Sequence, residues 1–154
     1  MTPTNTDIKQ SLYDECQLFV DNRLIAIQNI ITEIQESLTS ETKSSAGDKH
    51  ETGRAMLHIE REKAGQQLAE VQKLNQILTK IDTLQTFETI GLGSVVCTSQ
   101  AHYFVAISAG EMVMDGRSYY AISAMTPIAQ LLLGKKKGDQ IQFRDQVFEI
   151  ITVF

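Results

Sequence analysis

The 154-residue chain has no tryptophan, two prolines, two cysteines and only 6% aromatic residues. So few aromatic rings argue against recognition of exposed bases by stacking. No apolar run approaches the roughly 18 residues of a membrane span, and Met1–Gln10 is too polar for a secretion signal. Basic side chains are outnumbered by acidic ones, 14 to 19, giving a formal net charge of −5. A general grip on nucleic-acid phosphates needs a basic footprint, so free DNA or RNA is not the expected principal ligand. Cys16 and Cys97 lie far apart, with no CxxC or Cys/His spacing, and read as buried thiols of a cytoplasmic protein. What is present is ordinary for a globular chain, 42% hydrophobic and 21% charged. That supports one domain or two small ones.

The sequence changes character near Leu84. Residues 1–84 hold three of the nine glycines, and residues 85–154 hold the other six with most of the β-branched and aromatic clusters. A helical half followed by a strand-rich half implies α+β with segregated elements. In the first half Val20, Leu24, Ile27, Ile31, Ile34 and Leu38 follow the alternating 4, 3 spacing of a coiled-coil seam. Leu57, Ala64, Leu68, Val71, Leu74, Leu78 and Ile81 form a second seam. Asn5 or Thr6 is the expected cap of the first helix. The polar stretch Ser40–Lys49 is the expected turn between two antiparallel helices of about 32–35 residues, each about 50 Å long. The domain reading is therefore a helical hairpin over 1–84, a linker over 85–90 and a small antiparallel sheet domain over 91–154. Expected strands are Ser94–Thr98, Tyr103–Ser108, Tyr119–Ser123, Gln140–Phe143 and Val147–Val153, with Arg144-Asp145 turning the last pair. Thr126, Pro127 and Gly134 frame one short helix as N-cap, first residue and stop.

Most candidate chemistry falls to simpler readings. Gly110–Ser118 lacks the spacing and lysine of a phosphate loop and reads as a strand-connecting turn. His50 and His58 are too far apart on a helix to share a metal, and His102 has no ligand partner nearby in sequence. All three read as surface or satisfied histidines. Lys135-Lys136-Lys137 reads as a solvated turn after a helix end, where cations complement the dipole. The hairpin tip, residues 47–51, is different. Asp48 and Glu51 stand three apart where the second helix begins, so both can face one way. Acids are common at a helix start. Two carboxylates at a hairpin tip are also placed to offer oxygen ligands to magnesium within another protein's site.

Gly47-Asp48-Lys49-His50-Glu51 resembles the acidic tip of the Gre family of bacterial transcript-cleavage factors. The second half resembles that family's FKBP-like C-terminal domain more closely. The matching stretches are Gly91-Leu-Gly-Ser-Val-Val96, Tyr120-Ala-Ile-Ser123, Thr126-Pro-Ile-Ala-Gln-Leu-Leu-Leu-Gly-Lys135 and Gly138-Asp139. The resemblance covers nearly the whole chain in the right order. It implies a monomeric protein that binds RNA polymerase at its secondary channel. Met125, Thr126 and Pro127 match the turn that docks on the channel rim. Asp48 and Glu51 match the two tip acids, which help hold a magnesium shared with the polymerase active centre. The backtracked RNA 3′ end is then cleaved by the polymerase, and the factor is no enzyme by itself. No other tightly bound cofactor is implied.

Thr52, Gly53, Arg54 and Ala55 depart from the family's usual Asn, Ala, acid and Tyr after the second acid. Arg54 puts a positive charge about one turn from Glu51. That departure favours an alternative: a channel-binding regulator that inhibits transcription without cleavage. A prolyl isomerase, suggested by the FKBP likeness, needs an aromatic-lined pocket that this composition does not supply. An inert coiled-coil scaffold is the remaining reading.

Overall fold

A computed structural model describes the backbone of residues 2–43 and 47–154 and the side chains of residues 2–40 and 51–154. Two long helices, α1 (Asn5–Lys43) and α2 (Gly47–Thr79), precede six strands. These are β1 (Val95–Thr98), β2 (His102–Ala106), β3 (Gly110–Met114), β4 (Arg117–Ser123), β5 (Gln140–Phe143) and β6 (Gln146–Val153). A short helix, α3 (Pro127–Leu132), lies between β4 and β5 in the chain. The fold is α+β. Among the described residues no helix is long and apolar enough to cross a membrane. The chain divides into two compact units, one of Met1–Phe19 with Gln76–Phe154 and one of Val20–Asn75.

Within Val20–Asn75 the seam positions are the covered ones. Val20, Ile27, Ile34, Ala64 and Val71 are buried, and Leu24, Ile31, Leu38, Leu57, Leu68 and Leu74 are half-buried. Arg23 and Ile27 of α1 line one groove with Gln67, Glu70, Val71 and Leu74 of α2, so the helices lie side by side. Only residues 44–46 separate them, so α2 runs back antiparallel to α1. Both helices extend further into the polar stretch 40–49 than the sequence suggests, because Glu41-Thr-Lys43 and Asp48-Lys-His50 contain no helix breaker. The first cap is also shifted. Thr4, rather than Asn5 or Thr6, accepts the Asp7 amide at 3.1 Å, and the Asp7 carboxylate accepts the Thr4 amide at 3.0 Å. This reciprocal pair satisfies two amides at the start of α1 and holds the Asp7 carboxyl below its usual range.

In the other unit the sheet order is β3-β4-β2-β1-β6-β5. Every strand pair is antiparallel except β2 with β4, which run parallel from His102↔Tyr119 to Ala106↔Ser123. The reason is β3, an added strand within the expected turn at Gly110–Ser118. Asp115 (φ 53) and Gly116 (φ 76) make a two-residue hairpin there, so β4 rather than β3 pairs with β2. One sheet face holds the core cluster of Val96, Val105, Ile141, Phe148 and Ile150, with Leu132 of α3 packed on it. Val95, Phe104, Met112, Tyr119 and Ala121 are buried on the other face.

Both helix bases belong to this unit. Leu12, Cys16 and Leu78 are fully buried, and the Tyr13 hydroxyl donates to the Leu78 carbonyl at 3.0 Å. Lys9 continues the covered stripe of α1 as a charged member, with only 2% exposure. Its ammonium donates to the Gln85 carbonyl at 2.8 Å and sits 4.7 Å from the centre of the Phe87 ring. Burial lowers its pKa to about 8, opposed by the Asp82 charge. This fastens the first turns of α1 to the segment that follows α2.

Candidate functional site

The acid pair lies at the start of α2. Gly47 opens the helix and Asp48 and Glu51 occupy its first turns, three residues apart. That spacing is about 4.5 Å along the axis and about 60° around it. Glu51 is exposed, and Thr52 beside it is exposed as well. The Asp48 side chain, like that of His50, lies outside the described residues. Carboxylates here complement the positive end of the helix dipole. Arg54 follows Glu51 by three residues on the same helix and is half-buried.

Met125, Thr126 and Pro127 lie in the sheet unit, where one local network fixes them. Thr126 is the N-cap of α3, with φ −71 and ψ 152, and its hydroxyl accepts the Ala129 amide at 3.3 Å. The same hydroxyl donates to the Ser123 carbonyl at 2.8 Å, and the Ser123 hydroxyl accepts the Met125 amide at 3.1 Å. The Gln130 side-chain amide donates to the Ala124 carbonyl. Pro127 fixes the first helical residue with its ring exposed. Met125 therefore stands on a braced turn with 82% of its surface exposed, the most of any large hydrophobic side chain described. Hydrogen bonds on both sides thus fix the backbone from which the apolar Met125 side chain extends into solvent. Ser123 and Gln130 are the members of this turn that sequence reasoning missed. The Ser-x-x-Thr spacing before a proline was the available signal.

The remaining reactive groups are placed to be inert. Cys16 is buried, and its thiol pKa is pushed up to about 12, chiefly by burial and also by the nearby Glu15. Cys97 is half-buried with its thiol pKa also raised by burial. It is the register partner of His102, which pairs in turn with Tyr119 on β4. Burial and the Arg117 charge lower the His102 pKa. Its Nδ1 is buried with no hydrogen-bond partner, which corrects the expectation of a surface or satisfied histidine. The cause is its place between two strands rather than on a loop. Among the described residues no three His, Cys, Asp or Glu side chains form a group able to hold a metal. Two carboxylates at the start of α2 likewise supply only part of a magnesium shell, which takes six ligands and keeps several waters.

No family model and no curated protein matches this chain.

Proposed function

We propose that the chain is a Gre-like factor that binds RNA polymerase at its secondary channel and stimulates cleavage of backtracked transcripts. The observation that carries the reading is the acid pair, Asp48 and Glu51, in the first turns of the returning helix of an antiparallel pair. A braced, exposed docking turn in the sheet unit supports it. In the complex the protein's own residues perform separable tasks. Met125, with Thr126 and Pro127 beneath it, docks on the partner's rim. Asp48 and Glu51 bring negative charge into a site that the polymerase supplies and keeps free of bulk water. Asp48 and Glu51 would help hold a magnesium ion there, and that ion would supply a water activated for phosphodiester hydrolysis. On this reading two carboxylates at a helix start do not by themselves clamp and position a phosphodiester, and the purified chain without polymerase should leave labelled RNA intact.

The test is paired. Asp48→Asn and Glu51→Gln keep shape and hydrogen-bonding capacity while removing charge. Each should lower fragment release from a backtracked complex by roughly 100-fold, with polymerase affinity nearly unchanged. Cleavage at the unmodified rate by both variants would remove the metal-delivery role. Arg54 carries a second reading, a channel regulator that binds without promoting cleavage. A cation one turn beyond Glu51 competes for that carboxylate. Under the leading reading Arg54→Glu raises cleavage; under the second, wild type and variant both bind and neither cleaves.

A further inference from the structure

The face of the sheet that carries α3 is uncovered toward the β3 edge, where Val113 is 61% exposed and Tyr120 38%. Glu111 and Tyr120 are direct register partners across β3 and β4 on this face. The Glu111 carboxylate is held at both oxygens: the Ser118 hydroxyl donates to Oε1 at 3.1 Å and the Tyr120 hydroxyl to Oε2 at 3.2 Å. Behind it the Tyr103 ring lies 6.3 Å from the Tyr120 ring, tilted by 43°. Glu111 meets no cation among the described residues. Among the described residues its charge is thus oriented by two neutral hydroxyls.

We infer that Glu111, Ser118 and Tyr120 form a docking site for an arginine side chain of a partner protein. Each carboxylate oxygen has two acceptor positions, and the hydroxyls use one on each. One position per oxygen is left, and the two parallel N–H groups of a guanidinium are the donors that engage both oxygens at once. The Tyr120 ring stands beside them with a face for the planar cation to stack on. Val113, next on the same face of β3, meets the aliphatic stem. Lysine brings a point charge and no fork, so the site distinguishes the two cations by geometry. Both strands are fixed by the ladder, so the carboxylate is oriented before the partner arrives. This inference stands apart from the polymerase reading, because it uses neither the tip acids nor the turn at Met125.

The experiment is a titration of the isotope-labelled full chain, followed by NMR at the Tyr120 ring and the Glu111 side chain. The probe is the capped peptide Gly-Arg-Gly, with Gly-Lys-Gly and Gly-citrulline-Gly as comparisons. The arginine peptide should give a saturable shift at both residues. The lysine peptide should bind about fivefold more weakly or worse, and the neutral citrulline peptide should give no saturable shift. Glu111→Gln should weaken the arginine response about tenfold or more, with the amide spectrum of the sheet otherwise retained. Tyr120→Phe, which keeps the ring and loses one hydroxyl clamp, should weaken it less. No saturable shift at Tyr120, an equal response to lysine, or an undiminished response in Glu111→Gln would overturn the inference.

Discussion

Met125 and Lys9 are opposite cases of a side chain set against its surroundings. Met125 is an apolar group in water, so its replacement should leave stability within about 0.5 kcal/mol. If the turn docks as proposed, Met125→Ala should still weaken polymerase binding about tenfold, measured by titration at fixed salt. Equal affinity would move the docking energy elsewhere. Lys9 is a charge in a covered place. Its folded pKa of about 8 lies below the ordinary 10.5, so between those values the unfolded chain holds the proton and the folded chain sheds it. Its burial therefore costs stability below about pH 8, and that cost is relieved as pH rises toward 10.5. Urea unfolding of wild type and Lys9→Met at pH 7.5 and pH 10 should show wild type gaining stability relative to the variant at the higher pH. A constant difference would mean that Lys9 keeps an ordinary pKa. The setting of Lys9 was not readable from the sequence. Lys9 sits in register with Leu12 and Cys16, but the carbonyl it reaches is 76 residues away.

Single elements show which local signals survive folding. The seams were legible because a coiled-coil stripe repeats every 3.5 residues and needs no knowledge of its partner. The frame of α3 was legible for a similar reason: Thr126, Pro127 and Gly134 act through local backbone chemistry. Thr126→Val removes the acceptor of the Ala129 amide and should cost about 1 kcal/mol. It should also loosen the turn under Met125, so chemical denaturation and polymerase titration are both to be read. β3 was not legible, because Gly110 and Gly116 bracket it and the segment reads as one glycine-bounded loop. Asp115-Gly116, a preferred hairpin dipeptide, was the signal that competed with that reading. At Gly116, φ is +76 and an added Cβ meets nothing within 4 Å, so any cost of Gly116→Ala is conformational. Denaturation should show a loss of about 1 kcal/mol. An unchanged midpoint would mean that the hairpin turn is not strained by a side chain. The Glu111 platform was hidden with β3, since its parts meet only once β3 and β4 pair.

At the scale of the molecule, the helical pair and the sheet answer different parts of the sequence. Residue order alone placed helices before strands, because each half carries its own periodicity and turn residues. The functional reading rests only on short patterns. The tip acids are two residues on a helix start, a place where acids are common for electrostatic reasons alone. The turn at Met125 is better defined, since hydrogen bonds from Ser123, Thr126 and Gln130 fix its backbone. If the proposed reading holds, cleavage factor and channel regulator differ in their chemistry within the polymerase complex. The measurement that decides it is release of short 3′ fragments from an end-labelled, backtracked transcript held by RNA polymerase of the same organism, with and without the purified wild-type protein. The account predicts fragments that need both protein and polymerase, scale with added protein and vanish when magnesium is chelated. Polymerase that binds the protein yet releases no more fragments than polymerase alone would contradict it.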